Sequence, residues 1–172
     1  VSVSAVKKAD NSNACVPAFA SVSKTVAFAC SYQNPASGTL PVRVGGTAVS
    51  CGAGSQAVTL AFDTTGTAST TVQYADVGQV SLAATYTGSG NDAGLTMTGS
   101  DSFIAAPYTF ALSAASGTRI AGVAFSATVT AQNISGAATP NFGRETSSEG
   151  VTLGWVRTQP QASGAVDGSF SG

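Results

Sequence analysis

Large apolar residues fall on every second position in short runs along the chain. Val26, Phe28, Cys30 and Tyr32 alternate with Ala27, Ala29 and Ser31, which is the period of a strand with one buried face. Gly, Asn, Pro and Ser cluster between such runs, and helical spacing is nearly absent. Residues of those types make turns. The pattern predicts strands over Val1 to Val6, Lys24 to Gln33, Leu40 to Val44, Ala57 to Phe62, Ala68 to Tyr74, Val80 to Thr87 and Leu95 to Ile104. Roughly seven short strands in about a hundred residues are what an immunoglobulin-like sandwich requires. The expected fold class is therefore all-β.

Two phrases extend this reading to a second unit. Val26-Ala27-Phe28 returns as Val123-Ala124-Phe125, and Val58-Thr59-Leu60-Ala61-Phe62 returns at nearly the same spacing as Val151-Thr152-Leu153-Gly154-Trp155. Repetition in the same order predicts tandem immunoglobulin-like β-sandwiches. The first would occupy residues 1–105 and the second 106–172, with the junction near Ala105-Ala106-Pro107. Far fewer residues follow Trp155 than follow Phe62 in the first copy, so the second sandwich is expected to lack its closing strands. Its open edge would be completed by further chain or by a neighbouring molecule. Tyr74-Ala75-Asp76-Val77-Gly78-Gln79-Val80 matches the Asp-x-Gly turn that leads into the sixth strand of such sandwiches, but Val80 and Leu82 replace the Tyr and Cys of antibody-type domains.

Charge removes several functions. Only 9% of residues are charged and the net charge is −1, with no basic stripe to hold a phosphate backbone. Nucleic acid is not an expected partner. No apolar run has the roughly 20 residues of a membrane span, and the opening Val1-Ser2-Val3-Ser4 reads as mid-strand, as though cut from a longer precursor. The chain has no His, so Ser-His-Asp and Cys-His catalysis are set aside. Its few carboxylates read as turn and rim residues rather than a facing glycosidase pair. Neither an enzymatic activity, a cofactor nor a metal centre is expected.

Cys15, Cys30 and Cys51 have no CxxC spacing, which argues against zinc and for a disulfide formed in an oxidising compartment. All three are bridge candidates. Cys30 lies on an inward-alternating strand and is the favoured member, and its partner is left open. Closing the short Cys15 to Cys30 loop would be worth about 3 kcal/mol in the chain-entropy model.

Other motifs are weighed against plain structural roles. Asp10-Asn11-Ser12-Asn13 offers oxygens at close spacing but lacks the glycine and terminal glutamate of a calcium loop. A turn explains it better, and an interdomain calcium site using Asp10 or Asp101 is the rival. Gly88-Ser89-Gly90-Asn91-Asp92 imitates a nucleotide-binding glycine loop but leads into an alternating strand, which predicts a hairpin. Asn133-Ile134-Ser135 is a formal glycosylation sequon that reads as a turn. Lys24 could form a side-chain isopeptide only beside a buried acid, and none is identifiable in the first unit. Phe62 and Trp155 are read as equivalent core aromatics, with carbohydrate stacking by Trp155 as the alternative.

The phrases CVPAF, FACSYQNPASGTLPVRV, ADVGQVSLAATYTGSG, TGSDSFIAAP and ATPNFGRE resemble the bacterial surface proteins of the MSHA pilus biogenesis protein Q (MshQ-like) family. The resemblance implies a secreted or cell-surface β-rich protein of a Gram-negative bacterium, associated with type IV pili and with no established enzymatic activity. It also implies that Cys15, Cys30, Asn34-Pro35, Asn141 and Phe142 are fold determinants. The expected function is an extracellular structural module acting through strand-edge or end-to-end contacts with copies of itself or other pilus subunits. An adhesin binding a glycan or host protein through sandwich-end loops is the alternative.

Overall fold

The computed structural model describes residues 1–114 and 116–154. Strand β4 (Val22–Asn34) runs antiparallel between β7 (Gln56–Phe62) and β10 (Gly78–Thr87), and β11 (Thr96–Ala105) extends the sheet beyond β10. A three-stranded sheet of β6 (Thr47–Val49), β5 (Val42–Val44) and β9 (Val72–Tyr74) supplies further inward side chains, and short pairs β1 (Ser2–Ser4) with β8 (Thr67–Ser69) and β2 (Val6–Lys8) with β3 (Cys15–Pro17) flank it. Every second residue of β4 and β7 turns inward. Val26, Phe28 and Cys30 meet Val58, Leu60 and Phe62, and these pack with Val42, Val44, Val49 and Val80. The alternation read from the sequence is thus the inner face of an immunoglobulin-like sandwich.

Two expected strands are interrupted for one reason: Ala68 to Tyr74 divides into β8 and β9, and Val1 to Val6 ends as β1 at Ser4, with β2 starting at Val6 and running past the expected end to Lys8. Within Ala68 to Tyr74 the chain stops pairing with β1, where Thr70 N donates to Val1 O, and starts pairing with β5, where Gly45 N donates to Thr71 O. Within Val1 to Val6, Ala5 N donates to Gly66 O while Ala5 O accepts from Ala18 N, so pairing passes from β8 to β3. A change of partner interrupts the ladder without interrupting the apolar pattern. Strands β3 and β6 were not anticipated, because three residues are too few to show alternation. Strand β6 nevertheless has a signal in Gly45-Gly46, whose φ values of 56° and 83° form the two-residue hairpin turn joining Val44 to Thr47.

Beyond Pro107 the described residues form the hairpin of β12 (Thr109–Ala114) and β13 (Ala127–Gln132), with a bridge from Gln132 to Ala138. The repeated phrases do not occupy equivalent places here. Val26 is buried on β4, whereas Val123 is exposed and precedes β13. Val151 and Leu153 are exposed and outside any strand, while Val58 and Leu60 are core. Trp155 lies outside the described residues. The closer match is between turns. Asp63 Oδ1 accepts from Thr65 N, Thr65 Oγ1 and Thr67 N at 2.8, 2.7 and 3.0 Å. Asn133 Oδ1 accepts from Ser135 N, Ser135 Oγ and Ala137 N at 3.0, 2.7 and 3.1 Å. The likeness is thus one of Asx-turn chemistry between positions that the repeated phrases do not pair.

Candidate functional site: a buried polar junction

Most of the first sandwich's interior is apolar, but one end carries a buried carboxylate. Asp76 closes the loop between β9 and β10 and is 2% exposed. Its Oδ1 accepts from the following amide of Val77 at 2.9 Å and from the amide of Asn141, in the segment after β13, at 3.0 Å. Asn141 is 1% exposed, and its Nδ2 donates to the Tyr74 hydroxyl at 3.1 Å. Asn133 Nδ2 donates to Ala75 O at 2.9 Å, and Thr146 N donates to Asn34 Oδ1 at 2.8 Å. Four hydrogen bonds from residues 133–146 thus end on Asn34, Tyr74, Ala75 and Asp76 at one end of the sandwich.

Backbone atoms approach closely at this end. The Asn34-Pro35 peptide is cis. Gly78 has φ 110°, and a Cβ there would lie 2.4 Å from Asn34 O, so only glycine admits the close approach of the β4 end to the Asp76 turn. Tyr32 donates to Leu40 O at 2.9 Å beside Gly38, where a Cβ would meet its ring at 2.7 Å. Burial, the Asp76 charge and the neighbouring Tyr32 push the Tyr74 hydroxyl up to about 12, against a weaker opposing effect of Asn141. Burial and Asp76 also raise Tyr32.

The residues singled out in the sequence are distributed elsewhere. Cys30 and Cys51 are joined in a disulfide that ties β4 to the segment following β6, and Cys15 is free and exposed. Asp10 to Asn13 form the exposed turn between β2 and β3, and Asp101 is exposed on β11 with Oδ1 accepting from Ser102 N at 2.8 Å. Gly88 to Asp92 lie in the hairpin between β10 and β11. Asn133 spends its amide on the turn and on Ala75, as the turn reading requires. Lys24 forms a charge-assisted bond with Asp92, which Tyr86 also reaches at 2.7 Å, and its ammonium sits 5.0 Å from the Phe19 ring centroid. The bonds from Lys24 first, then Tyr86, hold the Asp92 carboxyl below the usual carboxylate range. The first sandwich does contain a buried acid, contrary to expectation, but it is Asp76 and not a neighbour of Lys24.

Among the described residues no three His, Cys, Asp or Glu side chains gather as in a common metal centre, and none of the helices is long and apolar enough to cross a membrane. The groove between β1 and β10–β11 is lined by Val3, Phe28, Leu82 and Phe103, with Asp101 its single carboxylate. The family model described as "Domain of unknown function (DUF6701), first Ig-like domain" matches residues 1–100. The chain belongs to this family. No curated protein and no solved structure matches it. The matched span covers β1 to β10 and the first half of β11, so residues 133–146 of the junction lie beyond the family's first Ig-like domain.

Proposed function

We propose that the chain is an extracellular structural module of a type IV pilus-associated or filament-forming bacterial surface protein, and that it acts through protein contacts rather than catalysis. The observation that carries the reading is the junction. The segment after β13 donates four hydrogen bonds to the end of the first sandwich, two of them from nearly solvent-free Asn141. These bonds fix where the following segment leaves the first sandwich, which suits modules joined end to end. The immunoglobulin-like family, the disulfide and the resemblance to MshQ-like proteins support an extracellular setting. A weakly charged surface suits contact between like modules.

Negative-stain microscopy of the native material tests this reading, with rods or filaments expected. Isolated monomers, together with selective binding on a glycan array, would replace it with the adhesin role.

A further inference from the structure

Three side-chain oxygens at the junction are buried without a hydrogen-bond partner among the described residues: Asp76 Oδ2, Asn141 Oδ1 and Glu145 Oε2. They are the complete set of such atoms among the described residues; Asp76 and Asn141 are both nearly solvent-free and bonded to each other, and the half-buried Glu145 follows Asn141 by four residues. Asn141 N rests on the Asp76 carboxylate. A tight turn, closed by Arg144 N donating to Asn141 O at 3.0 Å, sets Glu145 one residue beyond it. Thr146 N then hooks onto Asn34 Oδ1, and Asn34 O in turn crowds Gly78, two residues past Asp76. Glu145 is therefore pinned between two anchors on the same sandwich end.

An unpaired buried carboxylate is costly, and unsatisfied buried oxygens are rare. No basic side chain bonds to Asp76 or Glu145 among the described residues. Two carboxylates and one amide carbonyl lack a positive partner, and all the donors are hard oxygens. Zinc prefers nitrogen and sulfur, and magnesium demands tighter octahedral geometry, whereas calcium accepts six to eight oxygens in flexible arrangements completed by water.

We propose that Asp76, Asn141 and Glu145 bind a calcium ion that clamps the segment after β13 onto the end of the first sandwich. Two charged ligands and one neutral one place the site in the weak class of extracellular calcium modules, with Kd between about 10⁻⁴ and 10⁻³ M. The inference concerns the junction alone and goes beyond the proposed surface role, which filaments or monomers decide independently.

The test is calorimetric titration of the EDTA-treated 172-residue chain with CaCl₂, paired with melting curves in EDTA, in about 5 mM CaCl₂ and in MgCl₂ at equal ionic strength. One calcium per chain is expected, with a higher melting temperature in calcium than in magnesium. Glu145→Gln should weaken calcium at least about tenfold, with folding checked by circular dichroism, while Asp101→Asn should leave the affinity unchanged. If Asp76→Asn fails to fold, Glu145→Gln alone decides. Absence of binding up to about 10 mM CaCl₂ overturns the proposal. In that case an Asn141 amide turned end for end, accepting from Tyr74 and donating to the carboxylates, satisfies the site internally. A calcium response kept by Glu145→Gln and lost in Asp101→Asn would also overturn it.

Discussion

The amide of Asn141 lies 3.0 Å from Asp76 Oδ1, joining positions 65 residues apart. The same oxygen accepts from Val77 N, so Asp76→Ala strands two buried donors at once. At about 1–3 kcal/mol for a stranded group, the variant should lose at least that much stability in urea denaturation. Hydrogen exchange at the Asn141 and Thr146 amides should speed up by more than at β4, because the link is cut while the sandwich core is kept.

Reducing the Cys30–Cys51 disulfide should cost about 3 kcal/mol by the chain-entropy estimate for a loop of its size. Cys15→Ser, at an exposed position, should stay within about 0.5 kcal/mol of wild type. Denaturant midpoints with and without reductant check both, and peptide mapping under non-reducing conditions should find Cys15 alone accessible to alkylation.

Gly78 and Gly54 both have positive φ, at 110° and 93°, but only Gly78 faces a backbone atom. A Cβ at Gly78 meets Asn34 O at 2.4 Å and one at Gly54 meets nothing within 4 Å. Gly54→Ala should cost about 1 kcal/mol of backbone strain, and Gly78→Ala clearly more, since the β4 end and the Asp76 turn must also separate. Melting temperatures of the two variants give the comparison.

These examples show what the sequence could and could not convey. Alternation at Val26, Phe28 and Cys30, and again at Val58, Leu60 and Phe62, was enough to find the inner face of the sandwich. The breaks at Ala5 and at Thr70-Thr71 were hidden, because exchanging one pairing partner for another leaves the apolar pattern unchanged. Asp76 was legible as a turn residue but not as a buried acid. Its partner Asn141 stands 65 residues away, where composition and spacing do not place it nearby, and only the family resemblance marked Asn141 and Asn34 as structural. The Val26 and Val123 phrases are alike in sequence, yet Val26 is buried on β4 while Val123 is exposed ahead of β13.

Lys24 on β4 and Tyr86 on β10 both bond to Asp92 in the β10–β11 hairpin of the same sheet. The bonds from Lys24 and Tyr86 lower the Asp92 carboxyl from its ordinary 3.8. A depressed carboxyl stabilises the fold above its unfolded value, and the benefit disappears as pH falls through its folded value. Wild type should therefore exceed Asp92→Asn in stability near neutral pH, with the gap closing below about pH 4. High salt should narrow the gap too, since the pair is partly exposed. Melting curves across pH 2 to 7, as a rough span of carboxylate titration, test the direction.

Tyr74 gives the opposite sign. Its hydroxyl is pushed from 10.0 to about 12 by burial, then by Asp76 and Tyr32. A raised value supports the fold below the unfolded value and fails as pH climbs through the folded one, so stability should decline between about pH 10 and 12. Tyr74→Phe, which keeps the ring, should flatten that decline in denaturation series.

The covalent tie between Cys30 and Cys51 spans 21 residues and encloses β5 and β6. If a surface chain is pulled from both ends, its enclosed segment cannot pay out even after the sandwich gives way. Roughly 70 Å of contour length, at about 3.3–3.6 Å per extended residue, is withheld from the stretched molecule. The module would therefore act as a shortened tether under load, recoiling from a smaller extension than its residue count implies.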